Sequence, residues 1–568
     1  MKYYIYGAGR NLEKVLNRLE GLTEIKAIID NDEKKVGKKV GNIVIISMSE
    51  YLRNHESKKE KDDCKIIVSV TNPSVKAEII KLLNDEYCNY IMASDFCDFY
   101  DEQTPGTLIG VRNIPKRYKA RPSFDPNSYL MTDTLTNRLY RVFKSEKKEE
   151  ILEILDICKL NNLLGTYIVD SWEANAEEME DVFLIEHKVL KPISFCYEWT
   201  PNMYEDYVFY MLDLLRKLTR VNLGLIDSHG LNATYADGKF MFYDFGAIRR
   251  EMTAPNEMLT LMDMLVLPLL LIKLGEIKKA YFYLEDHNIV LTIKDISGYL
   301  TNDELYELKS VYMQLICCSS HEEMIYNIDT IEKFIKNFRN NAVKGDWEDY
   351  QDSEWSKSDN TNLWSEKMSN VYSLIEMIKP KTIIDIAGNQ GWYGACYRDR
   401  LEYAIIADMD VTALDKLWTR IKKENYINII PIKMSVCAPS LGRHFDGFVD
   451  GKTIRTIRKS AKERFRVEFA IALAIIHHLA FRECLSFDEI IALLDSYTEK
   501  YLMVEYVDKT DKYIEYFKKD GFEWYTRENF EKAVSKRYTI MKILDSSPAE
   551  TRKIYLCKKI DFGGNDEK

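Results

Sequence analysis

A short stretch in the middle of the chain places two carboxylates and an amide along a predicted strand, loop and hairpin. Asp227 and Asn232 lie five residues apart, and Asp244 follows after the hairpin-type turn Asp237-Gly238. Phosphoryl transfer requires a carboxylate beside the acceptor hydroxyl, and a carboxylate with an amide to hold magnesium. The spacing therefore predicts a phosphotransferase-type centre, with Asp227 as the catalytic residue and Asn232 and Asp244 as metal ligands.

The nucleotide-binding half of this predicted kinase-like region has a weaker signal. Residues 134–143 are strand-like and have no glycine-rich loop, while Lys144 ends the strand where a lysine could contact phosphates. Glu149, Glu150 or Glu153 could pair with Lys144 from the next helix. Such a region would use ATP and Mg²⁺. The alternative is a pseudokinase, a kinase-shaped scaffold that binds a partner or sugar without transfer.

A second cofactor signature lies closer to the C-terminus, at a predicted strand-to-helix turn. Asp385 is near the end of one strand, Gly388, Asn389 and Gly391 follow it, and Asp408 closes the next strand. Glycine lets a backbone approach a ligand closely, and an acidic side chain at that strand end can accept hydrogen bonds from ribose hydroxyls. These five residues predict a binding site for S-adenosylmethionine on a doubly wound parallel sheet.

Three side chains at the same edge of that sheet are candidate general bases. Residues 470–475 predict the fourth strand, His477 and His478 come just after it, and Glu505 lies near the end of the next predicted strand. Histidine titrates near neutral pH and could remove a proton from an acceptor hydroxyl. Packing or helix capping is an equally good interpretation of either histidine.

The first hundred residues also alternate strand-like and helix-like segments, which predicts a Rossmann-like unit. Gly7 and Gly9 lie at the first turn, Asp30 closes the second strand, and Leu12 takes the place of the third glycine of a dinucleotide motif. Gly7, Gly9 and Asp30 predict a pocket for a nucleotide or nucleotide sugar. The alternative is a tight turn that needs the glycines for conformation alone. An NAD-dependent oxidoreductase is disfavoured, because so short a unit leaves little room for cofactor and substrate.

The motifs in combination resemble the nodulation protein NoeA-related methyltransferases. The matching elements are 192–201 with its Tyr-Glu-Trp triplet, Asp227 with Asn232 and Asp244, 385–391, 473–479 with its His-His-Leu triplet, and 504–507. The resemblance runs from about Leu139 to Lys559, and the first hundred residues lie outside it. It implies a class I methyltransferase fused to a kinase-like domain that acts on a sugar, glycolipid or polysaccharide intermediate. The chain departs from the pattern at Ser435, where an acidic residue is expected.

Length and patterning together predict an α/β protein of three domains. A chain of 568 residues exceeds what one hydrophobic core can serve. The predicted units are an N-terminal Rossmann-like domain (1–110), a central protein-kinase-like α+β domain (127–345) and a C-terminal class I methyltransferase Rossmann-like domain (346–568), with a proline-rich connector between the first two.

Charge and cysteine content narrow the partners and the compartment. The formal net charge of -11 disfavours nonspecific binding to nucleic acid. The 11 cysteines include no CxxC pair, which indicates reduced thiols of a cytoplasmic protein. The apolar stretches 264–274 and 469–481 are shorter than the ~20 residues that cross a bilayer, so no transmembrane segment is predicted.

The leading hypothesis is an S-adenosylmethionine-dependent methyltransferase of a small-molecule or glycan acceptor, whose kinase-like domain phosphorylates or presents that acceptor. The second is a sugar or polysaccharide kinase with a regulatory methyltransferase-like domain. The third is a non-catalytic scaffold. The acceptor, the methylated atom and the oligomeric state are left open by the sequence.

Overall fold

The computed structural model describes residues 2–9, 11–57, 60–61, 63–70, 73–93, 117–121, 128–174, 182–285, 290–341, 344–449, 452–515, 517 and 521–560. The predicted domain boundaries at residues 110 and 127, and nearly all of the proline-rich connector between them, lie outside these residues. Three successive α/β or α+β bodies follow one another along the described chain.

The N-terminal body is a six-stranded sheet with helices between its strands. Its strands are β1 (Lys2–Tyr6), β2 (Ile25–Ile29), β3 (Lys39–Val40), β4 (Ile43–Ile46), β5 (Cys64–Val68) and β6 (Tyr90–Met92), and its helices are Leu12–Leu19, Met48–Asn54 and Pro73–Asp85. The strand order is β3-β4-β2-β1-β5-β6, and every pairing except β3 with β4 is parallel. Strand β2 is added on one side of β1 and strand β5 on the other, so the winding direction of the sheet reverses between β1 and β5. The carboxyl ends of these two strands therefore border a crevice.

The central body joins a small antiparallel sheet to a layer of helices. Strands β7 (Tyr118–Arg121), β8 (Ser128–Asp133), β9 (Leu139–Lys144), β10 (Ser171–Ala174) and β11 (Val182–His187) pair in the order β10-β11-β9-β8-β7. The helices are Lys148–Leu160, Pro201–Arg220, Pro255–Leu261, Leu267–Lys273, Ile277–Glu285, Ile293–Ser297, Asn302–Ile316 and His321–Asn337. Two short ladders join β12 (Gly224–Leu225) to β15 (Ile248–Arg249) and β13 (Ala233–Ala236) to β14 (Lys239–Phe242). In this body the main sheet comes first and most of the helices follow it, which is the order that the sequence predicts.

One helical stretch of the central body, Pro255–Lys273, is long and apolar enough by length and composition to cross a membrane. A π-helical turn over Met262–Val266 joins its two α-helical parts, which makes the stretch longer than the apolar run expected from the sequence. Of its most apolar window, 78% is buried inside the protein. Asp263 in the π-turn accepts a hydrogen bond from Tyr312 at 2.6 Å and pairs with Arg18 of the N-terminal body at 2.5 Å. The apolar surface of this stretch thus packs against protein.

The C-terminal body is built on a seven-stranded sheet. Its strands are β16 (Thr382–Ile386), β17 (Tyr403–Asp408), β18 (Ile429–Lys433), β21 (Val467–Ala472), β22 (Thr498–Val507), β23 (Tyr538–Asp545) and β24 (Arg552–Lys559), in the order β18-β17-β16-β21-β22-β24-β23. A separate hairpin pairs β19 (Arg443–Val449) with β20 (Lys452–Arg458). The helices are Asp352–Ser356, Glu366–Ile378, Trp392–Ala395, Val411–Glu424, Ala461–Arg464, Ile476–Phe481, Phe487–Asp495 and Arg527–Ser535.

This sheet has the doubly wound topology that the sequence predicts for a methyltransferase-type domain. Strand β24 runs antiparallel to both of its neighbours, the other pairings are parallel, and the winding direction of the sheet reverses between β16 and β21. The crevice at the carboxyl ends of β16, β17 and β21 is therefore the expected ligand position. The fourth strand ends at Ala472, a few residues earlier than the apolar pattern suggested, because Ala474 adopts a left-handed backbone with φ of 52°.

A buried ion pair fixes the central body to the C-terminal body. Glu198 and Arg464 are 4% and 5% exposed, and Arg464 donates to Glu198 Oε2 at 2.9 Å and to the Ile193 carbonyl at 2.7 Å. Nearby, Trp418 donates its indole N–H to Asp206 at 2.7 Å. The Tyr-Glu-Trp triplet singled out in the sequence thus supplies the carboxylate that joins the two bodies.

Candidate functional site

The turn after β16 folds back onto the end of β17. Asp408 accepts the Asn389 N–H at 2.7 Å on one carboxylate oxygen and the Asp410 N–H at 2.8 Å on the other. Burial raises the pKa of Asp408, and these backbone N–H groups oppose that rise. The acid predicted to face a ribose therefore lies at the carboxyl edge of the sheet, directly beside the predicted cofactor turn.

Close packing explains the glycines of this turn. A Cβ on Gly388 would lie 2.9 Å from Ile406 Cγ2, and one on Gly391 would lie 2.9 Å from Ile406 Cγ1, with a φ of +77°. Ala387, which replaces the glycine usual at the start of such loops, nevertheless has a φ of 57°. A left-handed alanine costs about 1 kcal/mol and is a kind of strain concentrated at functional sites.

Asp385 shapes the turn from beneath. Its carboxylate is buried and accepts the Gly394 N–H at 2.9 Å, which holds the start of the helix Trp392–Ala395. Burial raises the pKa of Asp385 to about 7, and the charge of Asp408 adds to the rise. Its contacts indicate that it orients the turn that the sequence assigns to the cofactor.

Asn389 carries a buried polar atom that no described residue satisfies. Its side chain is 6% exposed, and its amide donates to the Trp347 carbonyl at 2.8 Å, but its Oδ1 has no hydrogen-bond donor. An unsatisfied buried acceptor costs about 1–3 kcal/mol, so in a native protein a ligand or water usually satisfies it. This oxygen lies on the turn that the sequence assigns to the cofactor.

A polar segment at 345–352, to which no sequence motif pointed, crosses the same turn. The Trp347 N–H donates to Asp410 at 2.9 Å, and Gln390 donates to the Glu348 carbonyl at 2.6 Å. The tryptophan within this otherwise polar segment was the one sequence signal that the segment contacts the cofactor turn. The segment adds residues to the candidate site that motif spacing did not reveal.

The two histidines lie together after β21. Their rings are 4.3 Å apart, and the His478 ring is 6.5 Å from that of Trp347. Burial lowers the pKa of His477 to about 2 and that of His478 to about 4, so both are neutral at pH 7. His477 is buried, and its Nδ1 has no partner among the described residues. Only a neutral imidazole can accept a proton, and a lower pKa makes it a weaker base, so His478, with the higher pKa, is the stronger base of the two.

Glu505 does not face the rim as a base, contrary to expectation. It is fully buried and accepts hydrogen bonds from Lys367 at 2.8 Å, the Ala474 N–H at 2.8 Å and Ser546 at 2.5 Å. Burial alone would raise its pKa, but the charge of Lys367 outweighs it and the pKa is lowered. A carboxylate with every partner in place is a structural ion pair, and the apolar strand pattern gave no sign of Lys367.

In the central body, the predicted phosphotransfer residues come together at the ends of β12 and β14. Asp227 lies 3.3 Å from the His229 ring nitrogen, and Asn232 donates to the Asp227 carbonyl at 3.3 Å. The Tyr243 N–H donates to the Asn232 carbonyl at 2.8 Å, which brings Asp244 alongside. Burial would raise the pKa of Asp227, but the hydrogen bonds from His229 and Asn232 prevail and lower it.

Arg141 occupies the position expected for Lys144. The buried Arg141 guanidinium pairs with Asp244 at 2.6 Å and donates to Ser128 at 3.0 Å. Lys144 is 41% exposed, and the nearest acid is Glu146 at 3.9 Å. Successive side chains of a strand point to opposite faces of the sheet, so residues 141 and 144, three positions apart, lie on different faces. The assignment of Lys144 to the nucleotide is wrong for this reason.

Two of the three proposed helix partners of Lys144 are also engaged elsewhere. Glu150 pairs with Lys147 at 2.8 Å, and Glu153 pairs with Arg250. Within the described ranges, no group of three or more histidine, cysteine, aspartate or glutamate side chains is arranged to hold a metal ion. The assignment of magnesium to Asn232 and Asp244 stays a prediction.

The central cleft contains two further buried polar atoms without partners in the described part of the chain. They are Arg141 Nε and His187 Nε2. The other ring nitrogen of His187 lies 2.7 Å from Ser171 Oγ, and its ring is 6.1 Å from Phe245, which follows Asp244. Burial, followed by the charge of Arg141, lowers the pKa of His187 to about 3.

The N-terminal body repeats the arrangement seen at Asp408. Asp30 accepts the Ala8 N–H at 2.7 Å on one oxygen and the Asp32 N–H at 2.9 Å on the other, and Lys35 lies 3.1 Å away. Burial would raise the pKa of Asp30, but these donors lower it. Gly7 has a φ of +114°, which favours glycine there.

Comparison with known proteins gives a partial match. No protein-family model matches the chain. The nodulation protein NoeA of Rhizobium meliloti (strain 1021) is 27% identical over 181 residues, which are 31% of this chain and 36% of NoeA. The chain thus spans about a third of the length of that relative, and the aligned part is shorter than the 139–559 span expected from the motifs.

Several solved structures also show limited similarity. The Mg-protoporphyrin IX methyltransferase ChlM of Synechocystis PCC 6803, with bound SAM, is 10% identical over 40% of this chain and 90% of its own, with a TM-score of 0.26. The N-methyltransferase NodS of Bradyrhizobium japonicum WM9 is 9% identical over 37% and 98%, with a TM-score of 0.24. WbdD, crystallised with the kinase inhibitor LY294002, is 12% identical over 34% and 40%, with a TM-score of 0.24. The similarity to NoeA that the motifs predict is confirmed over part of the chain.

Proposed function

We propose that the C-terminal body is an S-adenosylmethionine-dependent methyltransferase that acts on a carbohydrate, glycolipid or polysaccharide intermediate in the cytoplasm. The observation that carries the proposal is the pairing of Asp408 with the Asn389 turn at the point where the sheet changes direction. That position is the general ligand site of doubly wound sheets.

The residues at this edge fit the cofactor. S-adenosylmethionine would supply an electrophilic methyl group, so the protein needs mainly to bind and align. Asp408 would accept ribose hydroxyls, and Asn389 Oδ1 would gain the donor it lacks from the ammonium of the methionine end. The backbone of Gly388 packs directly against Asp385 and Ile406, which holds the turn in place beside Asp408.

The acceptor side of the crevice carries exposed aromatic rings. Trp347 is 45% and Tyr350 is 50% exposed, with ring centroids 5.9 Å apart. Flat rings with an apolar face suit the C–H face of a sugar, and partly solvated rings can bind at low entropic cost. His478, near Trp347, would accept the acceptor's proton. The net charge of -11 disfavours a nucleic-acid acceptor.

Transfer of labelled methyl groups tests this function. The full-length protein would be incubated with methyl-tritiated S-adenosylmethionine and with glycans, proteins or RNA extracted from cells. We expect label in the glycan fraction, and loss of that label in Asp408→Asn. Label in protein or RNA alone would overturn the proposed acceptor class, while the absence of any transfer would overturn the activity.

The central body is a candidate for a second activity, ATP- and Mg²⁺-dependent phosphoryl transfer to the same acceptor. The observation favouring it is that Arg141 Nε and His187 Nε2 lie buried without partners in the cleft that holds Asp244. Arg141 would contact phosphate oxygens, and Asp244 would leave Arg141 to bind the metal. ATP turnover with sugars that is lost in Asp227→Asn would support transfer. Binding of ATP without turnover would indicate a pseudokinase that presents the acceptor.

A further inference from the structure

We propose that the N-terminal body binds a nucleoside diphosphate, the head group of a nucleotide sugar, in the crevice between β1 and β5. This site is independent of the methyltransferase proposal. The parallel strands reverse their winding direction there, and ligands of doubly wound sheets bind at such points. Among the described residues between 2 and 93, one mononucleotide-sized set of strands is present, which suits one nucleotide and not two.

The chain contains the same constellation twice. Asp30 and Asp408 each close the second strand of a sheet, and each accepts one N–H from the turn after the first strand at 2.7 Å. Each also accepts an N–H from the residue two positions further on, at 2.9 and 2.8 Å. The N-terminal crevice therefore presents a ribose-accepting carboxylate in the same geometry as the proposed cofactor site.

The charges of the two crevices differ and select different ligands. Lys35 lies 3.1 Å from Asp30, whereas no described lysine or arginine forms an ion pair with Asp408. The turn leads into the helix Leu12–Leu19. A cation and a helix N-terminus both attract phosphate. The N-terminal crevice therefore suits an anionic diphosphate, in contrast to the cationic sulfonium expected at Asp408.

Gly9 offers the cleanest test of the site. A Cβ there would meet no atom within 4 Å, so a larger side chain fits the fold but would project into the open space at the turn. Gly298 is equally open and lies in the central body, so Gly298→Val is the matched control. The two variants should have the same thermal stability as the parent protein.

Equilibrium dialysis of the full-length protein with radiolabelled UDP, ADP and GDP measures binding. We expect at least one of them to bind the parent protein and Gly298→Val alike. We expect Gly9→Val, and separately Asp30→Asn, to weaken that binding by about tenfold or more. The affinity for S-adenosylmethionine should be unchanged in Gly9→Val and in Asp30→Asn, which separates this site from the proposed methyltransferase site.

Three outcomes would overturn the proposal. The first is that none of the three nucleotides binds the parent protein. The second is that binding survives Gly9→Val undiminished. The third is that binding is lost in Asp244→Asn but kept in Gly9→Val, which would place the nucleotide in the central cleft.

Discussion

Replacing Glu505 by alanine would leave the ammonium of Lys367 buried without its counter-charge. Glu505 is fully buried and Lys367 is 9% exposed, so neither charge gains much from solvent. Removing one partner of a buried ion pair costs about 3–5 kcal/mol, because the remaining charge is uncompensated. The Ala474 N–H and Ser546 hydroxyl would lose their acceptor as well. We therefore expect the free energy of local opening around β22 to fall by about 3–5 kcal/mol.

Native-state hydrogen exchange of peptides from β22 measures that opening free energy directly. The control is Asp488→Ala, which breaks an ion pair between side chains that are 56% and 57% exposed and should cost less than about 1 kcal/mol. The double variant Glu505→Gln with Lys367→Met should be less destabilised than Glu505→Ala, since it leaves no buried charge. A cost for Glu505→Ala no greater than that of the control would refute the structural role and return Glu505 to the candidate bases.

Three further predictions concern pH dependence, the cofactor turn and the joint between bodies. Burial lowers the pKa of His477 from 6.5 to about 2, so below pH 6.5 the unfolded chain binds more protons at this residue than the folded chain does, and stability is lost as the pH falls. The variant His477→Phe should therefore show a smaller drop in urea midpoint between pH 6.5 and pH 4 than the parent protein. Equal drops in the two proteins would contradict this. Ala387→Gly should raise stability by about 0.5–1 kcal/mol by relieving its φ of 57°, whereas Ala413→Gly in a regular helix should lower it by about 1 kcal/mol, both read from urea titration. Arg464→Met should leave Glu198 buried and unpaired at a cost of about 3–5 kcal/mol, seen as faster exchange on both sides of the joint; unchanged exchange would show that other contacts fix the bodies.

The sequence predicted well those features that depend on local periodicity and on strand ends. The turn at 385–391 and Asp408 meet because they follow adjacent parallel strands, and carboxyl ends of parallel strands share an edge. The same reasoning placed Asp30 beside its turn. The doubly wound sheet and the order of strands before helices were likewise readable from alternation.

The errors arose where the outcome depends on contacts between distant segments. Lys144 was assigned to the cleft from its position at the end of a strand, but the alternation of side chains along a strand does not say which face meets the cleft. Glu505 looked like an exposed strand end because its partner Lys367 lies far away in sequence. The segment that carries Trp347 was not assigned to the site because its contacts with Asp410 are also nonlocal.

Titration calorimetry with S-adenosylmethionine tests the central claim most directly, using the parent protein, Asp408→Asn and Asp30→Asn. The two acids have the same backbone contacts in different bodies, so Asp30→Asn controls for the loss of a carboxylate. We predict that the parent protein and Asp30→Asn bind S-adenosylmethionine equally and that Asp408→Asn binds about tenfold more weakly or worse. Equal affinity of Asp408→Asn and the parent protein, or no binding by the parent protein, would contradict the account.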